Sequence, residues 1–537
     1  MQQFSRRTAL ALGVGAVVTA YGQSAIARVP RTTPTDPTDS TGGGSGATVG
    51  ATDLPSLDDY DLDATYRYMY SVGPSRFDPH RGTSSFDNTS LFLVYDRLVM
   101  LDELANPIPG LATEWEFVDD GGALQLTLRE GVTFHDGEPF DADAVKTNIE
   151  RAQTVEGSAV SGELAVIESV EVVDDLTVRL NLAGPAAHLP LVLSDRAGMM
   201  VSPAAIDDPT LDQSPVGAGM FRVTEYRPDD RILMERHEGY WDAEAARCAN
   251  FEFIINGDPI TRLNAIRTDA CDGTFIDPPQ EGEAEGAGLQ IVRSGSLAYY
   301  HLQLNRSFEP FANVDVRRAL NHAVNREAIV EGLLLGLGAP ACQTFPEGYV
   351  AFDEATGTDA YPYDPELARE MLADAGFESI EFECIVPTIP QISQLGEIVQ
   401  AQLAEVGVSM SIRAVEPAQT ADIFYAQQEG QGMVSTWGGR ADPSQTLSLL
   451  FSAEGFSNPG RHTTDAVAEA IDATFVVQSP DERAAALQAA SAAIAADALN
   501  VVLYYPITPS VFTERSIGMQ TWLSGKPEFR AIGLAAS

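Results

Sequence analysis

Apolar and polar positions alternate along much of the first half of the chain, and that period-two pattern predicts strands. Strands are expected in "ATYRYMYSV" from residue 64 and in "LQLTLR" from residue 124. "LFLVYDRLVML" from residue 91 reads as a helix running into a strand. "VIESVEVVDDLTVRLNL" predicts a hairpin turning at Asp174-Asp175, and "GMFRVTEYRPDDRILMER" a second turning at Pro228-Asp229-Asp230. Asp141 or Asp143 caps the helix that follows the "HDG" turn at His135.

From about residue 251 the pattern changes to strands alternating with helices. "FEFII", "DPITRLNAIRTDA" and "CDGTFI" predict a strand–helix–strand unit. "DVRRALNHAVNREAIVEGLLLGLG" predicts helices opened by Asp315 and closed by Gly338. Asp364 and Pro365 start the next helix, and Ser479, Pro480 and Glu482 form a capping box for a later one. "IEFECIVP", "VSMSIRAVE" and "VVLYYPI" are further strands, with a helix at "QLGEIVQAQLAEVG". In "STWGGRADPSQT" a strand is expected to end at Trp437 and open into a loop. The fold class is therefore α/β with several lobes, β-rich at the front.

The termini and composition narrow the setting. The chain of 537 residues suffices for two or three domains. Residues 1–27 carry Arg6-Arg7, an apolar run from Ala9 to Ala20 and a small-x-small site at Ala25-Ile26-Ala27; they resemble a twin-arginine export signal. Residues 28–57 are rich in Pro, Thr, Gly and Ser and read as a disordered linker. The expected location is periplasmic or extracellular, exported and soluble. The formal net charge is -44, from 33 basic and 77 acidic residues, and Lys146 and Lys526 are the only lysines. Such acidity disfavours nucleic acid and anionic lipid as partners. In an oxidising compartment Cys248–Cys271 is the expected disulfide, with Cys342–Cys384 a weaker alternative and free buried thiols the third outcome.

Catalytic and cofactor motifs are missing from the sequence. There is no G-x-S-x-G elbow, no S-x-x-K, no phosphate-binding loop and no closely spaced histidine pair, so neither metal nor cofactor is expected. An exported hydrolase using acidic residues such as Asp442 or Asp136 is the alternative of a different class.

"GLATEWE", "LREGVTFHDGEPFDADAVKTNIER", "PVGAGMFRVTEYRPDDRILMERHEGYW", "TRLNAIRTDACDGTFI", "FEPFANVDVRRALNHAVNREAIVEGLLLGLGAPA" and "YPYDPELAREMLADAGF" occur in that order. Over residues 60–535 the chain resembles the family 5 extracellular solute-binding proteins, the peptide- and nickel-binding components of ABC importers. The resemblance implies a bilobal periplasmic-binding-protein fold, with an extra β-rich domain on lobe I and a hinge between lobes. Lobe I would take 58–86, 206–292 and 503–537, the extra domain 87–205, and lobe II 293–502. A monomer would trap a peptide or peptide-like solute, including an anionic one, by hinge closure. It would present this solute to the transmembrane subunits of an ABC permease, without bond chemistry. A sugar, an opine or a chelated metal is the alternative ligand.

In peptide-binding relatives the loop after the cleft tryptophan often carries an aspartate that pairs with the ligand's ammonium. Here Arg440 stands about where that acid would be, and Asp442 follows two residues later. Trp437, Arg440 and Asp442 are the expected ligand contacts on this loop. A guanidinium there favours a carboxylate or phosphate. Arg196, Tyr300, Phe456 and Asn458 are further candidates for the cleft wall, while Arg317 and Arg318 read as structural.

Overall fold

The computed structural model describes residues 54–537 apart from Thr83, Val477 and Gln478. The expected export signal and nearly all of the expected linker lie outside the described residues. The alternating segments of the first half build a seven-stranded sheet. Its strands run in the order Gln290–Ser294, Thr508–Phe512, Gly273–Phe275, Thr65–Tyr70, Asn250–Ile255, Arg231–Arg236 and Phe221–Arg227. Thr65–Tyr70 pairs in parallel with both Asn250–Ile255 and Gly273–Phe275. The expected strand–helix–strand unit is therefore split, because the first strand of the lobe is inserted between its two strands. Alternation explains the two faces: Tyr66, Tyr68, Phe251 and Phe253 pack on one side, and Met69 meets Leu263 and Ile266 on the other.

The extra domain is a four-stranded antiparallel sheet of Ala112–Val118, Ala123–Leu128, Thr177–Leu182 and Ile167–Asp174. The helix Ala142–Thr154 covers it with Val145 and Ile149. Asp141, not Asp143, is its cap, accepting from the Ala144 N–H at 2.9 Å. Residues 91–95 pack into the lobe I core, whereas Leu98 and Val99 pack into the extra domain. The first residues of the expected extra-domain range, 87–205, thus pack with the lobe I core.

The second lobe holds a six-stranded sheet in the order Gly338–Pro340, Val501–Pro506, Tyr299–Leu304, Gly432–Trp437, Ile380–Pro387 and Val408–Val415. Its helices mostly start as their sequences predict: Asp364 caps Pro365–Asp374, and Ser479 and Glu482 form a capping box on Pro480–Ala496. Two details differ. The helix Val314–His322 is capped by Asn313 rather than Asp315, since the Asn313 side chain accepts from the Asp315 N–H at 2.9 Å. Arg326–Leu334 closes through Leu335 and Gly336, both left-handed, and Gly338 already begins a strand.

The chain passes between the two large sheets twice, at residues 295–298 and at Ile507. The expected boundaries at 292/293 and 502/503 fall inside strands of one sheet each. These short passages are where the chain joins the two large sheets of the bilobal fold.

After the last long strand, residues 524–530 return across lobe I and the extra domain. Glu528 is buried against Arg97 at 2.6 Å, with both side chains only 2% exposed. Arg97 also donates to the Ser194 carbonyl at 3.2 Å and lies 4.0 Å over the Phe92 ring. Breaking a buried pair strands one charge, which costs about 3–5 kcal/mol. Glu528→Gln should therefore lose stability on that scale in urea denaturation, while Glu225→Gln, at an exposed ion pair, should change it by under about 1 kcal/mol.

The cysteines correct an expectation. All four are free and buried. Cys248 lies in the core on one face of the lobe I sheet and Cys271 in the core on the other, so the sheet separates them. Cys384 is inside the second lobe, and Cys342 donates to the Thr358 carbonyl at 3.3 Å. Burial pushes the thiols of Cys248, Cys271 and Cys384 up to about 12 and raises Cys342 as well. An aromatic disulfide reagent should find no reactive thiol in the native protein and four after denaturation. Two or none after denaturation would mean that disulfides form.

Candidate functional site

The strand Gly432–Trp437 runs antiparallel to Tyr299–Leu304, and Trp437 is paired with Tyr299 next to the first passage. The strand ends as expected. Gly438 to Ala441 then form a loop before Asp442 caps the helix Pro443–Phe451. Gly439 takes a left-handed φ of 75°, and a Cβ there would lie 3.4 Å from the Leu297 side chain, so the loop rests on the passage itself.

This loop closes one end of a cavity of about 360 Å³. Leu297 of the passage contributes to its wall, as do Glu163, Asp195 and Arg196 of the extra domain and Ser524 and Lys526 of the C-terminal segment. Arg440 projects from the second lobe. It is exposed, and no hydrogen bond or ion pair holds its guanidinium among the described residues; its nearest ring is Trp437, 5.5 Å from Cζ to centroid.

Glu163 is half-buried, and its carboxylate likewise has no hydrogen-bond partner among the described residues. Burial raises its pKa, and the neighbouring Asp195 charge adds to the shift, against the opposing pull of Arg440, Lys526 and Arg196. For Asp195, burial alone would raise the carboxyl. The Lys526 ammonium, bonded to it directly, reverses this and holds it well below the usual carboxylate range. The Asn88 amide completes that site at 2.7 Å. One cavity thus presents an unpaired cation from one lobe, an unpaired anion from the other side, and a neutralised Lys526–Asp195 pair between.

The other sequence candidates divide into wall and framework. Arg196 lines the cavity, but its donors are engaged by neighbours: Nε reaches Asn88 Oδ1 at 3.0 Å, and the rest go to the Gly82 and Ser84 carbonyls and Asp87. Trp437 stands behind Arg440, nearly buried, donating from Nε1 to Thr446 at 3.2 Å. Asp442 is fully buried. It accepts from the Ser444 N–H at 2.8 Å and pairs with Arg483 at 2.7 Å, so it is enclosed by its own helix cap and ion pair.

Tyr300 points to the opposite face of the sheet from Tyr299, where it stacks on Tyr504 with centroids 4.7 Å apart. Asn458 is buried too, accepting from Arg306 and donating to the Ser452 carbonyl at 2.6 Å. Phe456 is exposed on the surface, 5.9 Å from the Tyr425 ring. None of Asp442, Tyr300, Phe456 and Asn458 lines the cavity, because each completes a loop, cap or stack elsewhere. Asp136 accepts from the Ser202 hydroxyl at 2.6 Å, also away from it.

Sequence reading missed Glu163, Asp195 and Lys526. Only Lys526 carried a signal, as one of two lysines in the chain. Among the described residues no group of three or more His, Cys, Asp or Glu is disposed to hold a metal ion.

Residues 106–458 match the family model of bacterial extracellular solute-binding proteins, family 5. The glutathione-binding protein GsiB of Pectobacterium atrosepticum is 30% identical over 367 residues, which cover 67% of this chain and 70% of that protein. HbpA2 from Haemophilus parasuis superimposes with a TM-score of 0.80 at 24% identity, over 88% of this chain and 100% of that structure. DppA from Helicobacter pylori, in complex with the peptide STSA, does so with a TM-score of 0.72 at 23% identity, over 88% and 99%. These likenesses extend the bilobal fold over nearly all the described residues. The chain belongs to the family 5 bacterial extracellular solute-binding proteins.

Proposed function

We propose that this chain captures a short peptide or peptide-like solute bearing both a carboxylate and an ammonium, and delivers it to an ABC permease after hinge closure. The observation that carries this reading is the presence in one cavity of two opposite charges, Arg440 on the second lobe and Glu163 on the extra domain. They attract each other at a distance but are held by no hydrogen bond or close ion pair among the described residues. A guanidinium makes two parallel hydrogen bonds to a carboxylate, and Glu163 takes the ammonium. A zwitterion bridging the two would favour the closed lobes over the open ones, which is how a binding protein couples capture to shape. The similarity to a glutathione-binding protein and to a structure holding a peptide supports the same ligand class.

Export and delivery as a monomer belong to this reading. No helix among the described residues is long and apolar enough to cross a membrane.

A thermal-shift screen of dipeptides, glutathione, opines and sugars tests the ligand class. Stabilisation by peptides or glutathione is expected, and stabilisation by sugars alone overturns the reading. With the solute that binds, Arg440→Ala should weaken affinity by about 2–5 kcal/mol, at least about tenfold, in calorimetry. Arg440→Lys should remain weaker than wild type because an ammonium lacks the fork. Equal affinities would return Arg440 to the framework of the loop.

The raised Glu163 pKa sets the pH dependence. Above that pKa the carboxylate is charged and binds the ammonium; as pH falls through it, Glu163 protonates and affinity declines. Glu163→Gln should start weaker and lose this slope. For the unliganded fold the sign is opposite: a raised carboxyl pKa makes stability fall as pH rises through it.

A further inference from the structure

Residues 524–530 are a wall with two sides. Ser524, Lys526 and Glu528 line the charged cavity, whereas Gly525, Pro527, Phe529 and Arg530 line a second cavity of about 280 Å³, and Lys526 borders both. Arg530 is already paired with Asp242. Aromatic rings are prominent in the second lining, beside polar groups such as Ser294, Ser510 and Gln520. Tyr70 stands 5.2 Å from Phe275 and 6.5 Å from Phe86 between ring centroids, and Trp522 closes the group. Phe86 is 53% exposed even though it sits in a concavity, so a large ring is left uncovered where an apolar group would fit. Gly295 and Ser296 from one interlobe passage and Thr508, next to the other, complete the lining. Leu297 of the first passage meanwhile faces the charged cavity.

We infer that the second cavity receives an aromatic or branched aliphatic side chain of the same solute whose charged groups occupy the first. This rests on the proposed peptide-like ligand and narrows it to an amphipathic one. The two cavities adjoin at Lys526, and together they fall within the range of about 300–1,000 Å³ usual for small-molecule sites. An apolar group seated there touches the first passage at Gly295 and Ser296 and the strand end at Thr508 beside the second, so its burial is sensed next to where the lobes join. Charge then orients the solute, and ring burial selects it.

A dipeptide array with all twenty residues at each position, read by thermal shift, tests the inference. Hits should concentrate on Phe, Tyr, Trp, Leu or Ile at one position. In calorimetry the best of them should bind at least about tenfold more tightly than its alanine counterpart, the scale set by burying several apolar carbons. Phe86→Ala, which removes an exposed ring and leaves the core intact, should narrow that ratio severalfold; Trp522→Phe is the milder second variant and should reduce the quenching of tryptophan emission by the ligand. Binding that depends on Arg440 but shows no apolar preference overturns this inference and leaves the proposed function standing. So does a preference untouched in both variants, or a free aromatic amide that binds without competing with the dipeptide. Silence of the whole array, with glutathione also silent, overturns the proposed function and this inference together.

Discussion

A charge taken out of water needs a partner, and in residues 524–530 charges recur at every second position: Lys526, Glu528 and Arg530. Each finds its counter-charge on lobe I or the extra domain, in Asp195, Arg97 and Asp242 respectively. Arg530 also donates to the Tyr240 hydroxyl at 2.7 Å, and that hydroxyl reaches the buried Asp96. A slip of one residue would present Pro527 and Phe529 to these acids and bases and leave every buried charge alone. The pairing therefore fixes the register of the segment. Both cavities depend on it, because Lys526 borders the two, Glu528 lines the first, and Pro527, Phe529 and Arg530 line the second.

The second lobe uses its own pairs to leave one cation free. Trp437 is tied to Thr446 and Asp442 to Arg483, so both ends of the 438–441 loop are anchored. Between these anchors, glycines let the backbone lie on Leu297, and Arg440 is the one charged side chain of the loop without a protein partner among the described residues. A loop held at both ends presents its guanidinium in a restricted volume, which lowers the entropy lost on binding. Asp442 thus anchors the loop from its buried helix-cap position. Where the resemblance to peptide-binding proteins leads one to expect an acid, this loop carries Arg440, and the neighbouring acid, Asp442, caps a helix.

Strand positions were legible because alternation and turn residues are local signals. Asp174-Asp175 turns a hairpin whichever sheet it joins, and the Leu176 N–H bonds to Asp174 at 2.9 Å. What each strand lies beside was not legible. Thr65–Tyr70 inserts between two strands nearly 200 residues away in sequence, and nothing in either segment announces it. The same limit explains the site. Tyr299 and Tyr300 must face opposite ways, but which one faces the cleft depends on the sheet's neighbours. Asp442 and Asn458 looked free because Arg483 and Arg306 are far along the chain. Glu163 looked like one acid among 77, and only its cavity sets it apart. Arg440 was visible because it broke a pattern known from a family.

The overall charge and the cavity charge act over different distances, and their contrast bears on what the protein can retain. A surface with a formal charge of -44 repels anions, yet at physiological ionic strength that field decays over about 8 Å. Inside the cavity Asp195 neutralises Lys526, and Arg196 is engaged by Asp87 and two carbonyls, so neither offers a strong net field. What remains is one cation and one anion on opposing walls. A dianion would gain at Arg440 but meet Glu163; a simple cation would gain at Glu163 but meet Arg440. A zwitterion satisfies both while crossing the acidic surface with little long-range cost. For the zwitterionic solute proposed above, balanced charges leave discrimination to the wall behind Lys526.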